Sequence, residues 1–181
     1  MVWVHEPSPW NYWIETKTAL LSPKKYFIAM PRGGGYADSF LRSLVYNTAG
    51  EIGFDLCNWL QSHWRPDAMG FLFAAINSAT LVLAGAGILG VLAFVSGGKT
   101  DAPTAMRVSA NLQLLIPAYV LVRMTQLANI HWLSAVGLCA YAFYAAWLLH
   151  HALVHALGAN AIVAKLASGS LAAWGFFSAW K

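Results

Sequence analysis

The chain has 181 residues, of which 59% are hydrophobic and 10% are charged, and its mean hydropathy is +0.54. A soluble domain usually carries about 25% charged residues, so this composition excludes an ordinary water-soluble fold. The net charge of +4 forms no basic face long enough to follow a phosphate backbone, which excludes nucleic acid as a partner. The composition predicts an all-α, polytopic membrane helix bundle.

The N-terminal segment, residues 1–36, is predicted to lie at the cytoplasmic surface of the membrane. Residues 12–21 are expected to form a short helix with Glu15 on a different side from Trp13 and Lys17. A Trp-rich amphipathic helix suits the interface plane of a membrane, and the alternative is a helix that caps the protein's own loops. Five aromatic side chains of the segment are expected to contact a partner subunit or lipid headgroups: Trp3, Trp10, Trp13, Tyr26 and Phe27.

Residues 37–181 are predicted to form a bundle of five spans, because uncharged runs there reach the roughly 20 apolar residues that cross a bilayer. A polar connection at residues 96–107 joins its two halves. With a cytoplasmic N-terminus, most Lys and Arg residues lie inside, as the positive-inside rule requires. The predicted spans lie near residues 38–60, 68–95, 108–126, 131–152 and 161–180.

The first predicted span carries a polar stripe. Asn47, Glu51, Asp55 and Asn58 recur at spacings of four, four and three, which places them on one face of a helix. Carboxylates on a spanning helix must face the bundle interior, a water-filled cavity or a partner. The alternative is a helix at the interface with this stripe in water. Arg123 is the candidate counter-charge for one carboxylate.

Three histidines, His150, His151 and His155, lie at the end of the fourth predicted span. His151 and His155 are four residues apart and share a helical face, so either imidazole suits a haem or a chlorophyll-type magnesium. The alternative is that the helix ends near His150 and the imidazoles bond carbonyls or water at its negative end. A di-iron site needs Glu-x-x-His pairs, which the sequence lacks. We therefore expect no metal and no cofactor, with a pigment or haem as the alternative.

Two short motifs follow one another in the N-terminal segment: Ser22-Pro23-Lys24-Lys25-Tyr26-Phe27 and Met30-Pro31-Arg32-Gly33-Gly34-Gly35. Together they resemble a box found in bacterial members of the Yip-domain family, five-span relatives of the Ypt/Rab-interacting membrane proteins. The resemblance continues at Gly97-Gly98-Lys99, at Ile116-Pro117 and over residues 149–165. It implies a five-helix bundle, here in a bacterial cytoplasmic membrane, with no established enzyme activity.

The polar residues do not converge into a recognised catalytic set. We therefore expect a non-catalytic scaffold or accessory subunit of a larger membrane complex, which binds other membrane subunits and lipid headgroups. One alternative is a pigment- or haem-binding subunit that uses His151 and His155. The other is a small transporter or proton conduit that uses Glu51 and Asp55.

Overall fold

The computed structural model describes residues 9–30, 36–62, 68–127 and 130–179. The regular secondary structure in these ranges is entirely helical, which confirms the predicted all-α membrane bundle. A π-helical turn, Ala152–Ala156, extends α7. The α-helices are α1 (Pro9–Leu21), α2 (Pro23–Ala29), α3 (Tyr36–Ser62), α4 (Ala68–Val95), α5 (Ala102–Leu112), α6 (Leu115–Leu127), α7 (His131–His151) and α8 (Ala161–Ala179).

Four helical segments are long and apolar enough to cross a membrane: Leu72–Val95, Ala102–Leu127, His131–Ala156 and Ala161–Ala179. They correspond to four of the five predicted spans. The first predicted span, now α3, is 27 residues long but is not among them. Charged and amide side chains lower its hydropathy, so the count of five spans is not met by composition alone.

α3 buries polar side chains and exposes apolar ones, which is the reverse of a helix on the surface of a water-soluble protein. Its inward face, against α4, α5 and α6, buries polar groups that include Arg42, Ser43 and Asn47. Its outward face exposes large apolar side chains, among them Ile52 and Leu60. Such a helix has its apolar surface where lipid would cover it, and its polar groups hydrogen-bond inside the bundle.

The polar connection between α4 and α5 is shorter than predicted. Asp101 caps α5, because its side-chain Oδ1 accepts a hydrogen bond from the Thr104 backbone N–H at 2.8 Å. Pro103 lies in the first turn, where its missing N–H costs nothing. Residues 102–107, expected in the connection, therefore form the first turns of the helix, and the predicted span near 108–126 begins at Ala102.

The same span is interrupted between α5 and α6. Pro117 cannot donate to the carbonyl of Gln113, four residues earlier, and its ring would clash with that carbonyl. The helix opens at this point, and the Ile116 N–H donates to the Gln113 carbonyl at 2.9 Å to close a tighter turn. The local break thus follows from one proline.

The N-terminal helices are part of the bundle core. Tyr26 and Phe27 of α2 are each 1% exposed and belong to the same buried cluster as Leu148 and Leu153. The Tyr144 hydroxyl of α7 also donates to the Leu20 carbonyl of α1 at 2.9 Å. The N-terminal helices thus pack against α7, and the predicted division of the chain after residue 36 stays a prediction.

Candidate functional site

Four charged side chains from α1, α3 and α5 form an ion-paired cluster, the ionic clamp: Glu15, Asp38, Arg42 and Arg107. Arg42 lies at its centre, with Nη1 ion-paired to Glu15 and Nε 3.0 Å from Asp38 Oδ2. Arg107 reaches the same Asp38 oxygen from α5, with an Nη2–Oδ2 distance of 2.9 Å. The clamp joins three helices that are distant in sequence.

Further contacts of α1 with α3 surround the clamp. The Tyr12 hydroxyl donates to Asp38 Oδ1 at 3.1 Å, and the Arg42 guanidinium lies 4.7 Å from the centroid of the Tyr12 ring. The Thr16 and Tyr46 hydroxyls are 2.6 Å apart. Burial, and then the neighbouring Asp38 carboxylate, raise the pKa of Tyr12. One face of α1 is thus fixed to α3 through polar contacts.

The clamp balances its own charge. It contains two carboxylates and two guanidinium groups, and Glu15 and Arg42 are 9% and 5% exposed. A buried charge that is left without its partner costs several kcal/mol, so this pairing is needed for the fold. Arg42 and Arg107 are thus partners of acids inside the protein.

The opposite face of α1 is apolar and exposed. Trp13, Ile14 and Leu21 are 62%, 46% and 70% exposed, and Lys17 is exposed beside them. We call these four residues the α1 outer face. The predicted helix in this region is confirmed, and Glu15 lies on a different side from Trp13 as expected.

The aromatic residues predicted to contact a partner have different environments. Trp13 is on the α1 outer face, where a partner can reach it. Tyr26 and Phe27 lie in the chain's own core, which corrects their assignment to a partner-facing surface; α2 turns these rings inward onto α7 and the π-turn. Trp3 and the side chain of Trp10 lie outside what the structure describes.

Polar side chains continue from the clamp along the inside of α3. Asn47 Nδ2 donates to the carbonyl of Ser43 at 2.9 Å and to Gln113 Oε1 at 2.6 Å. The Ser43 hydroxyl also contacts Gln113 Oε1, and it lies 3.0 Å from the carbonyl of Ser78 on α4. These bonds hold α3, α4 and the break after α5 together.

A cavity of about 530 Å³ opens beyond this band, between α3, α4 and α6. Glu51 is in its wall, whereas Asp55 is 7% exposed and is not in that wall. Arg123 donates to Gln126 Oε1 at 3.1 Å, and within the described ranges no ion pair joins it to either carboxylate. The predicted role of Arg123 as their counter-charge is corrected accordingly. The cavity is lined by Asn47, Glu51, Phe54, Phe73, Ala74, Ile76, Asn77, Thr80, Leu81 and Ile116.

The three histidines lie where α7 passes into the π-turn. The rings of His151 and His155 are stacked, with centroids 5.4 Å apart and planes at 16°, and His150 is 5.6 Å from His151. Across residues 9–30, 36–62, 68–127 and 130–179, no group of three or more His, Cys, Asp or Glu side chains is placed to hold a metal ion.

Sequence reasoning missed the ionic clamp. Asp38 and Arg42 are four residues apart in a helix, a spacing that predicts a contact between them. Arg107 and Glu15 come from other helices, and no local pattern pairs them with α3. One feature of the sequence could have predicted the clamp: two Arg residues and two acidic residues lie next to strongly apolar stretches. Unpaired charges are costly there, so these residues are expected to pair with one another.

In comparisons with known proteins, no family model, no curated protein and no solved structure matches the chain.

Proposed function

We propose that this protein is a non-catalytic integral membrane subunit that acts as a scaffold or accessory component of a larger membrane complex. The observation that carries the proposal is the two-sided construction of α1. Its inner face is fixed by the ionic clamp, and its outer face presents apolar side chains to the surroundings. A rigidly held helix with an exposed aromatic face is suited to binding a partner.

The α1 outer face has the composition of a protein contact. Interfaces concentrate binding energy in a few large side chains, and Trp is the most enriched of them. Trp13, Ile14 and Leu21 are held in place by a helix that cannot rotate without breaking the Glu15–Arg42 ion pair. Because the backbone of α1 is ordered in advance, α1 loses little conformational entropy when a partner binds. Lys17 adds a cation that also suits anionic headgroups.

The proposal includes α3 as a fifth span and a cytoplasmic N-terminus. The support for the span is the exposed apolar face of α3 together with its buried polar face. The support for the orientation is a group of exposed lysines that lie on α2, on α8 and in the connection before α5. These three helices all contact the π-helical turn, so the lysines are at the same end of the bundle. The positive-inside rule puts that end in the cytoplasm. These lysines are Lys24, Lys25, Lys99 and Lys165.

Labelling of engineered cysteines tests this orientation. Lys99→Cys should react with a membrane-impermeant maleimide only when the cytoplasmic side is accessible, and Trp132→Cys only from the outside. The unsubstituted protein supplies the background from Cys57 and Cys139. Labelling of both positions from the same side would rule out the proposed topology. The bacterial cytoplasmic membrane and the Yip-domain resemblance remain predictions.

Native electrophoresis of solubilised membranes tests the partner contact. Trp13→Ser combined with Leu21→Ser should move the protein from a high-mass assembly to its free form. The matched control is Trp174→Ser with Leu166→Ser on α8, since both residues are 67% exposed on another helix. If the α1 variant stays in the assembly at the native ratio, or if the unsubstituted protein runs free, the proposal fails.

An absorption spectrum of the purified protein separates this proposal from the pigment alternative. We expect no haem or chlorophyll band. A band that disappears in both His151→Ala and His155→Ala would favour the cofactor-binding subunit instead.

A further inference from the structure

The cavity between α3, α4 and α6 contains hydrogen-bond acceptors that no donor of the described chain occupies. Asn47 is 5% exposed, and all three hydrogen bonds of its Nδ2 go to Ser43 and Gln113, which are not in the cavity wall that Asn47 lines. Its Oδ1 accepts no hydrogen bond from the described residues. Glu51, one turn further along the same face of α3, adds a carboxylate to the same wall.

The Glu51 carboxylate also lacks a counter-charge. The cavity wall contains no Lys, Arg or His, and among the described residues no ion pair includes Glu51. Its Oε1 lies against Gly70 of α4, where an added Cβ would stand 3.2 Å from it. Carboxylates among membrane helices are costly and are almost always paired or placed at a functional site.

The remaining walls define the kind of molecule that fits. Phe54 and Phe73 place aromatic rings in the lining, and aromatic faces attract cations. The other lining residues are aliphatic apart from Asn77 and Thr80, and within the described ranges no group of three or more His, Cys, Asp or Glu side chains is placed to hold a metal ion. A neutral alcohol could donate to Asn47 but would leave the carboxylate uncompensated. An anion would be repelled by Glu51.

We propose that this cavity binds a lipophilic alkylammonium ion, with the ammonium group between Glu51 and Asn47 Oδ1 and the alkyl group against the apolar walls. The N–H groups donate to both acceptors, and the positive charge compensates the carboxylate. A volume of about 530 Å³ is within the range of small-molecule sites. This inference is independent of partner binding through α1, so either one can fail alone.

Calorimetric titration of the purified protein in detergent tests the site, with octylammonium as the probe and protein-free micelles as the blank. Octanol has the same chain without the charge, and octyltrimethylammonium has the charge without an N–H. We expect octylammonium to bind about tenfold or more tightly than either of them. If octanol binds as tightly as octylammonium, the role proposed for the Glu51 charge is wrong. Equal binding of the trimethyl compound would overturn the role of the hydrogen bonds.

Variants locate the binding in this cavity. Glu51→Gln should weaken octylammonium binding about tenfold or more. Asp55→Asn makes the same change in charge one turn away, outside the cavity wall, and should weaken binding less than Glu51→Gln does. Gly70→Ala should weaken binding because its methyl group crowds Glu51 Oε1, whereas Gly87→Ala faces open space and should have no effect. If Glu51→Gln does not fold, the glycine pair decides. Equal affinity in the two alanine variants, or full affinity in Glu51→Gln, would contradict the proposal.

Discussion

The ionic clamp and the cavity both place carboxylates beside α3, but their surroundings differ. Within the clamp, Asp38 is contacted by two guanidinium groups and a tyrosine hydroxyl, and Glu15 is paired with Arg42. In the cavity, Glu51 faces amides, aromatic rings and aliphatic walls without a cation. Paired charges hold helices together, whereas an unpaired one is available to a ligand. Substitutions in the clamp should therefore lower stability strongly, whereas substitution of Glu51 should leave stability almost unchanged.

The largest effect should come from removing the centre of the clamp. Arg42→Met removes a cationic contact from both Glu15 and Asp38. Removing one partner of a buried ion pair costs about 3–5 kcal/mol, because the other charge stays buried without compensation. We expect a large loss in the free energy of unfolding, measured by denaturant titration in mixed micelles. Lys25→Met, at an exposed position, is the control and should change little. An Arg42→Met protein as stable as this control would show that the clamp does not support the fold.

A smaller effect should follow at the edge of the clamp. Tyr12→Phe keeps the ring beneath Arg42 but removes the hydrogen bond to Asp38 Oδ1, at a cost of about 1 kcal/mol. Tyr36→Phe, at a ring that is 53% exposed, is the matched control. A loss in Tyr12→Phe no larger than in Tyr36→Phe would contradict the structural role of this hydroxyl.

The pH dependence of this difference has a definite sign. The pKa of Tyr12 is raised in the folded protein by burial and by Asp38. The unfolded chain therefore loses this proton first, near the ordinary tyrosine pKa of about 10. The stability that the hydroxyl contributes is fully present below that pH and is lost as pH rises through the folded pKa. The advantage of the unsubstituted protein over Tyr12→Phe should shrink above about pH 10. A growing advantage would contradict the assignment.

The smallest effect on stability should come from the cavity. Glu51→Gln removes a charge that has no cationic partner, so no ion pair is lost and a desolvation cost is relieved. We expect a change in the unfolding free energy within about 0.5 kcal/mol, measured as for Arg42→Met. A loss comparable to that of Arg42→Met would mean that Glu51 is a structural residue like those of the clamp.

The sequence was sufficient to predict what depends on local composition. Long uncharged runs predict the helices that become α4 to α8, and the spacing of Trp13 and Glu15 predicts the two-sided α1. Pro117 explains the break in the span that α5 and α6 form, because its ring would clash with the Gln113 carbonyl in a continuous helix.

Contacts between distant parts of the chain could not be predicted in this way. Arg107 is 69 residues from Asp38, and only the folded arrangement brings them together. The inward turn of Tyr26 and Phe27 likewise depends on the position of α7, which no pattern in α2 specifies. In a membrane protein, the neighbouring sequence of a lipid-exposed aromatic residue is as apolar as that of a core aromatic residue. The sequence around Tyr26 and Phe27 therefore does not predict whether they are buried.

The most direct test of the central claim, that α1 is fixed to the bundle by an ion pair with α3, is a double-mutant cycle. Glu15→Gln, Arg42→Met and the combined variant are compared with the unsubstituted protein by their free energies of unfolding in mixed micelles. If Glu15 and Arg42 are ion-paired, the combined loss is smaller than the sum of the single losses by about 1–3 kcal/mol. Losses that add to within about 0.5 kcal/mol would show that the two side chains do not interact, and would contradict the clamp.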